Sequence, residues 1–368
     1  MSSDISVLNS EERLILALRA IYEGYGYKKY RMSRFEEYRL YMENKNFLVS
    51  ESVISFTDLD GRLLALKPDV TLSIVRQSKP EEEQRVYYIE NVYRPDKAYR
   101  NYREIEQMGL ERIGKIDTFA IIETASLASR TLYEVSKESL LEIGHMGFIT
   151  GLFKALQIPN ELDSKLFKLI SEKNIHTINS VCKSYGLSDA AINMLMILPT
   201  LCGSFEDVIA NASKLCISPD MTAALNQLAS LAVLENKENL SKVRLDLSLI
   251  GEEDYYNGVI FAGYINGLPS AVLSGGQYDK VMQKFSKSNG AVGFALYLNE
   301  LELLFNENKD CDFDIKLIYD DSISPDLLYN EVQTLRNSGK SVYVCAKGEN
   351  AAVKTDKELF INAKGEIE

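Results

Sequence analysis

Residues 85–114, RVYYIENVYRPDKAYRNYREIEQMGLERIG, constrain the fold of this chain more than any other stretch. Val86, Tyr88 and Ile89 lead into Val92-Tyr93-Arg94 as an apolar strand. A polar loop rich in Arg, Tyr and Asn follows, and a second strand carries Glu106, Gln107 and Glu111. Two such strands joined by a basic loop predict an antiparallel hairpin, in which side chains two or four residues apart share a face. Gln107 and Glu111 therefore point the same way. With Arg94 on the partner strand, this face suits a zwitterion, because the carboxylate holds an ammonium and the guanidinium a carboxylate. A solvated hairpin with an ordinary ion pair accounts for the same residues equally well.

A hairpin of this length needs a larger sheet to pack in, and the chain has the length to provide one. Its 368 residues exceed one core of usual size, so two domains are expected. The formal charge of −12 argues against a broad nucleic-acid footprint, which draws its affinity from Lys and Arg. Five cysteines without C-x-x-C spacing suit free thiols in a reducing compartment, and two histidines leave little scope for a His-based zinc site. The N-terminus lacks the basic and apolar regions of a signal peptide, and no segment reaches membrane-spanning length. A cytoplasmic location and no membrane partner are the expectation.

Read in order, Asn9 and Glu12 offer a capping box for a first helix that ends at Gly24 and Gly26. The tyrosine-rich run after it suits packing. Two short strands flank Asp60-Gly61, a tight-turn dipeptide. Pro68 stops the second, and Thr71 begins a short helix. Asp69 and Thr71 thus sit at a strand-to-helix junction that faces a cleft, or Asp69 simply caps the helix. After the hairpin come a helix (IDTFAIIETASLASRTLYEV), a strand (SLLEIGHM) and a helix from near Phe148, with His145 read as a packed core histidine. Residues 160–239 carry helical periodicity and read as an insertion. Strands return with VRLDLSLI, DYYNGVIFAGYI and SAVLSGGQYDKVM, placing Tyr255, Tyr256 and Tyr278 beside glycine bends; GAVGFALYLNELELLF reads as a helix begun by glycine. Beyond it, a strand, a helix, a strand and a hairpin-like terminal piece form a small β-α-β unit without a phosphate-binding glycine pattern. The division expected is 1–308 and 309–368.

Six short motifs occur in fixed order: Pro68-Asp69-Val70-Thr71, Tyr93-Arg94-Pro95, Gln107-Met108-Gly109-Leu110-Glu111, Asp254-Tyr255-Tyr256, Ser274-Gly275-Gly276-Gln277-Tyr278-Asp279 and Gly293-Phe294-Ala295. Each is weak alone. Together they resemble histidyl-tRNA synthetase over about the first 305 residues. The resemblance implies an α+β fold of the class II aminoacyl-tRNA synthetase type: a mainly antiparallel sheet with flanking helices, a helical insertion, a small C-terminal α/β unit and dimerisation through the N-terminal segment. Carried over by motif, a histidine pocket would comprise Asp69, Thr71, Arg94, Gln107, Glu111, Tyr255, Tyr256 and Tyr278. Asp69, Gln107 and Thr71 would hold the ammonium, Glu111 and a tyrosine hydroxyl would address the ring nitrogens, and the three tyrosines would enclose the imidazole.

The departures are as informative. Five residues after Ala295, where the family's motif 3 carries an arginine that stabilises charge on ATP, stands Glu300. Gly251, Glu252 and Glu253 occupy the stretch before the twin tyrosines where the family has another arginine, and Gln277 replaces a third. The C-terminal unit is shorter than the usual anticodon-binding domain. A histidine pocket without adenylation arginines resembles the regulatory subunits of ATP phosphoribosyltransferase, paralogues of the synthetase. That resemblance implies no catalysis and no cofactor of its own, no tRNA, a short-form catalytic subunit as partner in a hetero-oligomer, and L-histidine as effector. An active divergent synthetase and a free-standing histidine-binding module are the alternatives.

Overall fold

The computed structural model describes residues 8–44, 53–79, 82–96, 101–251, 255–305, 311–349 and 352–367. The chain divides into two compact units, Met1–Phe305 and Asn306–Glu368.

The first unit opens with α1 (Ser10–Gly24), started by the expected reciprocal box: the Asn9 side chain accepts from the Glu12 N–H, and the Glu12 carboxylate from the Asn9 N–H. β1 (Lys28–Lys29) follows. β2 (Phe35–Glu37) runs into α2 (Tyr38–Glu43). β2, β3 (Ser55–Thr57) and β4 (Leu63–Leu66) form a small antiparallel sheet in the order β2-β4-β3. The turn between β3 and β4 holds Gly61 at φ +79°, the left-handed conformation that glycine adopts without steric cost. α3 (Thr71–Gln77) then leads to the long hairpin of β5 (Gln84–Asp96) and β6 (Asn101–Gly114), paired antiparallel with Tyr88 opposite Gly109 and Val86 opposite Glu111.

α4 (Thr118–Val135) is capped by Asp117, and β7 (Ser139–His145) passes directly into α5 (Met146–Ala155). The helical stretch follows as α6 (Asn160–Ser171), α7 (Ile175–Ser184), α8 (Asp189–Ile197), the short edge strand β8 (Cys202–Gly203), α9 (Phe205–Ser213) and α10 (Pro219–Ser230). The chain returns to the sheet with β9 (Lys242–Asp246), β10 (Val259–Ile265) and β11 (Leu273–Gln277), then α11 (Asp279–Lys284), β12 (Gly290–Tyr297), a 3-10 turn at Leu298–Leu301 and α12 (Glu302–Phe305). Nine strands form one sheet, β1-β5-β6-β12-β11-β10-β7-β9-β8, antiparallel except for β1 with β5 and β7 with β9. None of the helices among the described residues is long and apolar enough to cross a membrane.

One element differs in type from the sequence reading. The run GAVGFALY is β12, a central strand paired with β6 and β11, not a helix. A strand buried on both faces reads as a continuous apolar run, which periodicity does not separate from a buried helix. Only the residues after Tyr297 turn helical.

Sheet alternation sorts the hairpin between two cores. Tyr87, Ile89, Met108 and Leu110 enter the large core against α1, α4 and α5. Tyr88, Val92 and Ile113 enter a second core on the opposite face with Leu72, Tyr255, Tyr278 and Ala291. The candidate site lies on this second face.

The second unit is a parallel sheet in the order β14-β13-β15, made of β13 (Phe313–Tyr319), β14 (Val342–Ala346) and β15 (Thr355–Ile361), with α13 (Pro325–Asn337) between the first two strands in sequence. The terminal piece is therefore not mainly a hairpin. β15 pairs parallel with β13, and only an isolated Ile361–Ile367 bridge folds the chain back.

Candidate functional site

All eight residues named from the motifs line one cavity of about 390 Å3, within the range of small-molecule sites. β6 supplies Gln107 and Glu111, which are two pleats apart and therefore on one face. β5 supplies Arg94, the start of α3 supplies Asp69 and Thr71, and the segments before β10 and α11 supply Tyr255, Tyr256 and Tyr278.

Glu111 is the centre of the arrangement and is 2% exposed. The Thr71 hydroxyl donates to its Oε1 at 2.7 Å and the Tyr278 hydroxyl to its Oε2 at 2.6 Å. Both hydroxyl protons are thus directed at the carboxylate, leaving the lone pairs of Thr71 and Tyr278 to accept from a ligand. Burial pushes the Glu111 carboxyl up to about 8; the two hydroxyl bonds oppose the shift and the negative charge of Asp69 adds to it. The opposite strand makes room for it: a Cβ on Gly293 would lie 1.7 Å from Glu111 Oε2 and 2.4 Å from the Leu110 carbonyl. Glycine is required there by close approach.

Asp69 lines the cavity and also bonds the first turn of α3. Its Oδ1 accepts from the Leu72 N–H at 2.8 Å, capping α3, and its Oδ2 stands 3.8 Å from Arg94 Nη2. Burial raises its pKa, against the Arg94 charge and the backbone hydrogen bonds. Arg94 is anchored by donating from Nε to the Pro68 carbonyl at 2.8 Å. Gln107 is buried, and its Nε2 has no hydrogen-bond partner among the described residues. A buried amide donor without a partner is costly, so the site favours a ligand that brings an acceptor. Tyr255 packs against Tyr256 and Tyr278 with ring centroids 4.8 Å and 5.6 Å away. Together these rings form an aromatic wall for a flat group.

Glu252, Glu253 and Asp254 lie outside the described residues; Gly251 and Tyr255 on either side of them line the cavity. Gln277 is turned away, donating to Asp279 Oδ2 at 2.6 Å. Glu300 is not among the lining residues, and its carboxylate accepts from Ser270 at 2.8 Å. Among the lining residues that the motif reading left without a role are Tyr88, Ser274 and Tyr297. The Tyr88 hydroxyl occupies the space above Gly109, 2.4 Å from where a Cβ would stand. Ser274 and Tyr297 are hydrogen-bonded to each other at 2.5 Å. Strand parity with Arg94 points to Tyr88, whereas Tyr297 required β12 to be read as a strand.

Comparison with known proteins gives the family. The histidyl-tRNA synthetase family model matches residues 6–301. An ATP phosphoribosyltransferase regulatory subunit of Acetivibrio thermocellus is 29% identical over 309 residues, covering 82% of this chain and 73% of the relative. One of Bacillus thuringiensis is 30% identical over 301 residues, covering 80% and 71%. A crystal structure described as an ATP phosphoribosyltransferase regulatory subunit/histidyl-tRNA synthetase from Bacillus halodurans shares the fold with a TM-score of 0.79 at 24% identity, over 96% of this chain and 94% of that one. With the motif order, the nine-stranded sheet and the Glu111-centred pocket in place, the chain belongs to the histidyl-tRNA synthetase family, in the branch of the ATP phosphoribosyltransferase regulatory subunits.

Proposed function

We propose that this chain is a non-catalytic regulatory subunit in histidine biosynthesis, working in the cytoplasm. It activates a short-form ATP phosphoribosyltransferase catalytic subunit and transmits feedback inhibition by L-histidine held in the cavity. The observation that carries the reading is the pairing of an amino-acid-sized pocket with few cations. Arg94 is the one Lys or Arg among the described lining residues, whereas a triphosphate site draws on several. Glu300, in the sequence position of the family's motif 3 arginine, supplies no cation there; its carboxylate accepts from Ser270 outside the cavity lining.

Within the pocket, Asp69 and the Thr71 lone pairs suit the ammonium of histidine. Glu111 and the Tyr278 hydroxyl suit the ring nitrogens, and Arg94 suits the carboxylate once released from Asp69. The unpartnered Gln107 donor suits the same carboxylate end, a change from the ammonium role that the motif resemblance implies. Occupied and free pockets would then favour different arrangements of the complex, which is a coupling free energy between sites.

A homodimer inside the hetero-oligomer is part of the proposal. It is supported by Phe35, Phe56, Leu59 and Leu63, all exposed on or beside the small β2-β4-β3 sheet, where Phe35 and Phe56 meet edge to face at 5.6 Å. The test is phosphoribosyltransferase activity of the catalytic subunit with and without this chain, titrated with histidine. Activation on mixing, reversed by histidine and insensitive to histidine in Glu111→Ala, is expected. Histidine-dependent ATP–pyrophosphate exchange by this chain alone, or tight tRNA binding, would instead establish a synthetase.

A further inference from the structure

α3 is seven residues long, and its two ends meet different neighbours. Its start sets Asp69 and Thr71 at the pocket, while its end leaves carbonyls that no intrahelical N–H can satisfy. Lys287, from the segment between α11 and β12, answers them. Its Nζ donates to the Val75 and Ser78 carbonyls, to the Ser78 hydroxyl at 2.8 Å and, at 3.3 Å, to the Arg76 carbonyl. The Ser78 hydroxyl proton is itself directed at the Val75 carbonyl, which leaves the oxygen free to accept. A cation suits the negative end of a helix. The lysine is nevertheless buried, and these four acceptors are neutral oxygens. Burial accordingly lowers its pKa.

The backbone is bent to place this lysine. Ser286, just before it, is held at φ +56°, the left-handed region that a residue with a side chain adopts at a cost. The Lys287 N–H then donates to the Met282 carbonyl at 3.0 Å, folding the chain back over the end of α11. Lys287 thereby joins the two short helices that present the partners of Glu111: Thr71 begins α3, and Tyr278 immediately precedes α11. Leu72 and Val75 of α3 share a core with Val281 and Met282 of α11. Apolar burial is non-directional, however, and fixes neither helix along its axis. Hydrogen bonds from one point to four oxygens do. A helix of this length spans about 10 Å and moves as a unit, so a shift at Ser78 is felt at Thr71.

We propose that Lys287 is a positioning residue of the pocket: by tying the end of α3 to the segment between α11 and β12, it sets the Thr71 and Tyr278 hydroxyls against the two oxygens of Glu111. Its effect on histidine rests on the reading of the cavity given above; its effect on Glu111 does not. In the full chain, Lys287→Ala should weaken histidine binding about tenfold in calorimetry, at a temperature where circular dichroism shows the variant folded. n-Propylammonium supplies the carbons and the ammonium that alanine lacks. It should bring the affinity back to within about threefold of the native chain, whereas 1-propanol should not. Ser78→Ala, which removes one of the acceptors, should weaken binding severalfold and decides the matter if Lys287→Ala does not fold. The second readout is the side-chain carboxyl 13C signal of Glu111, assigned by its loss in Glu111→Gln. It should move in Lys287→Ala and return with n-propylammonium. A native chain that binds no histidine removes the ligand reading and leaves the Glu111 signal to decide. The positioning role is overturned if the folded variants keep native histidine affinity, if the Glu111 signal stays in place, or if n-propylammonium restores no more than 1-propanol does.

Discussion

Glu111→Gln tests the electrostatic reading of the pocket most directly. A carboxyl whose pKa is higher in the folded than in the unfolded chain binds more protons when folded, between the two values. Its contribution to stability is therefore fully present below about pH 4.5, and it is lost as pH rises towards the folded value of about 8. One pKa unit corresponds to about 1.4 kcal/mol, so ionising Glu111 inside the fold disfavours it by on the order of 4–5 kcal/mol at high pH. Because the carboxyl is fully buried, solvent screening removes little of this. Glutamine keeps the shape and one acceptor while abolishing the titration, with the Thr71 or Tyr278 hydroxyl turning to accept from the amide. Between pH 5 and pH 7 the stability of the variant relative to the native chain should move in the variant's favour by about 2–3 kcal/mol. Urea unfolding followed by far-ultraviolet circular dichroism at each pH, with equal m-values, measures it. A difference between the two proteins that stays constant over this range would show that Glu111 titrates as an ordinary carboxylate, and the reading of a buried, hydroxyl-bound carboxyl would be wrong.

Three further outcomes are expected. Gly293→Ala places a methyl against Glu111 Oε2 and the Leu110 carbonyl, so it should destabilise the chain by about 1–3 kcal/mol through overpacking. It should also weaken histidine binding in calorimetry by about 30-fold or more, whereas intact binding would mean the strands part without moving Glu111. Arg94→Ala removes a charge-assisted contact, for which a loss of about 2 kcal/mol, or about 30-fold in Kd for histidine, is anticipated; equal affinities would remove Arg94 from carboxylate recognition. Lys287, 8% exposed, gathers the Val75 and Ser78 carbonyls at the end of α3 and bonds the Ser78 hydroxyl at 2.8 Å. Lys287→Met should lower stability by about 2–3 kcal/mol, read from thermal unfolding, and an unchanged midpoint would show that water replaces the ammonium without loss.

Much of the site was legible because it is built from local patterns. Gln107 and Glu111 share a face by strand parity alone, and Asp69 with Thr71 marks a strand-to-helix junction that the Pro68 stop announces. The hydrogen bonding of these groups was less legible. The Thr71 hydroxyl directs its proton at Glu111 and leaves its lone pairs to the cavity, and Gln277 donates to Asp279. The helix expected over GAVGFALY failed for a related reason. Its glycines and apolar residues carry no period that distinguishes a strand buried between β6 and β11 from a buried helix, and with it went the chance to set Gly293 opposite Glu111 and Tyr297 beside the cavity.

By itself the sequence determined what acts over a few residues: the Asn9–Glu12 box, the turn at Asp60-Gly61, the alternation along the hairpin, and the order of motifs that gives the family. These depend on backbone geometry and nearest neighbours, which a string of residues carries in full. Tertiary structure decided that burial raises the Glu111 pKa, that Gly293 must lack a side chain, and that His145 is buried against Gln227. Each of those depends on which distant segment excludes water or fills space at that point, and desolvation and steric fit arise only once strands far apart in the chain lie a few ångströms from one another.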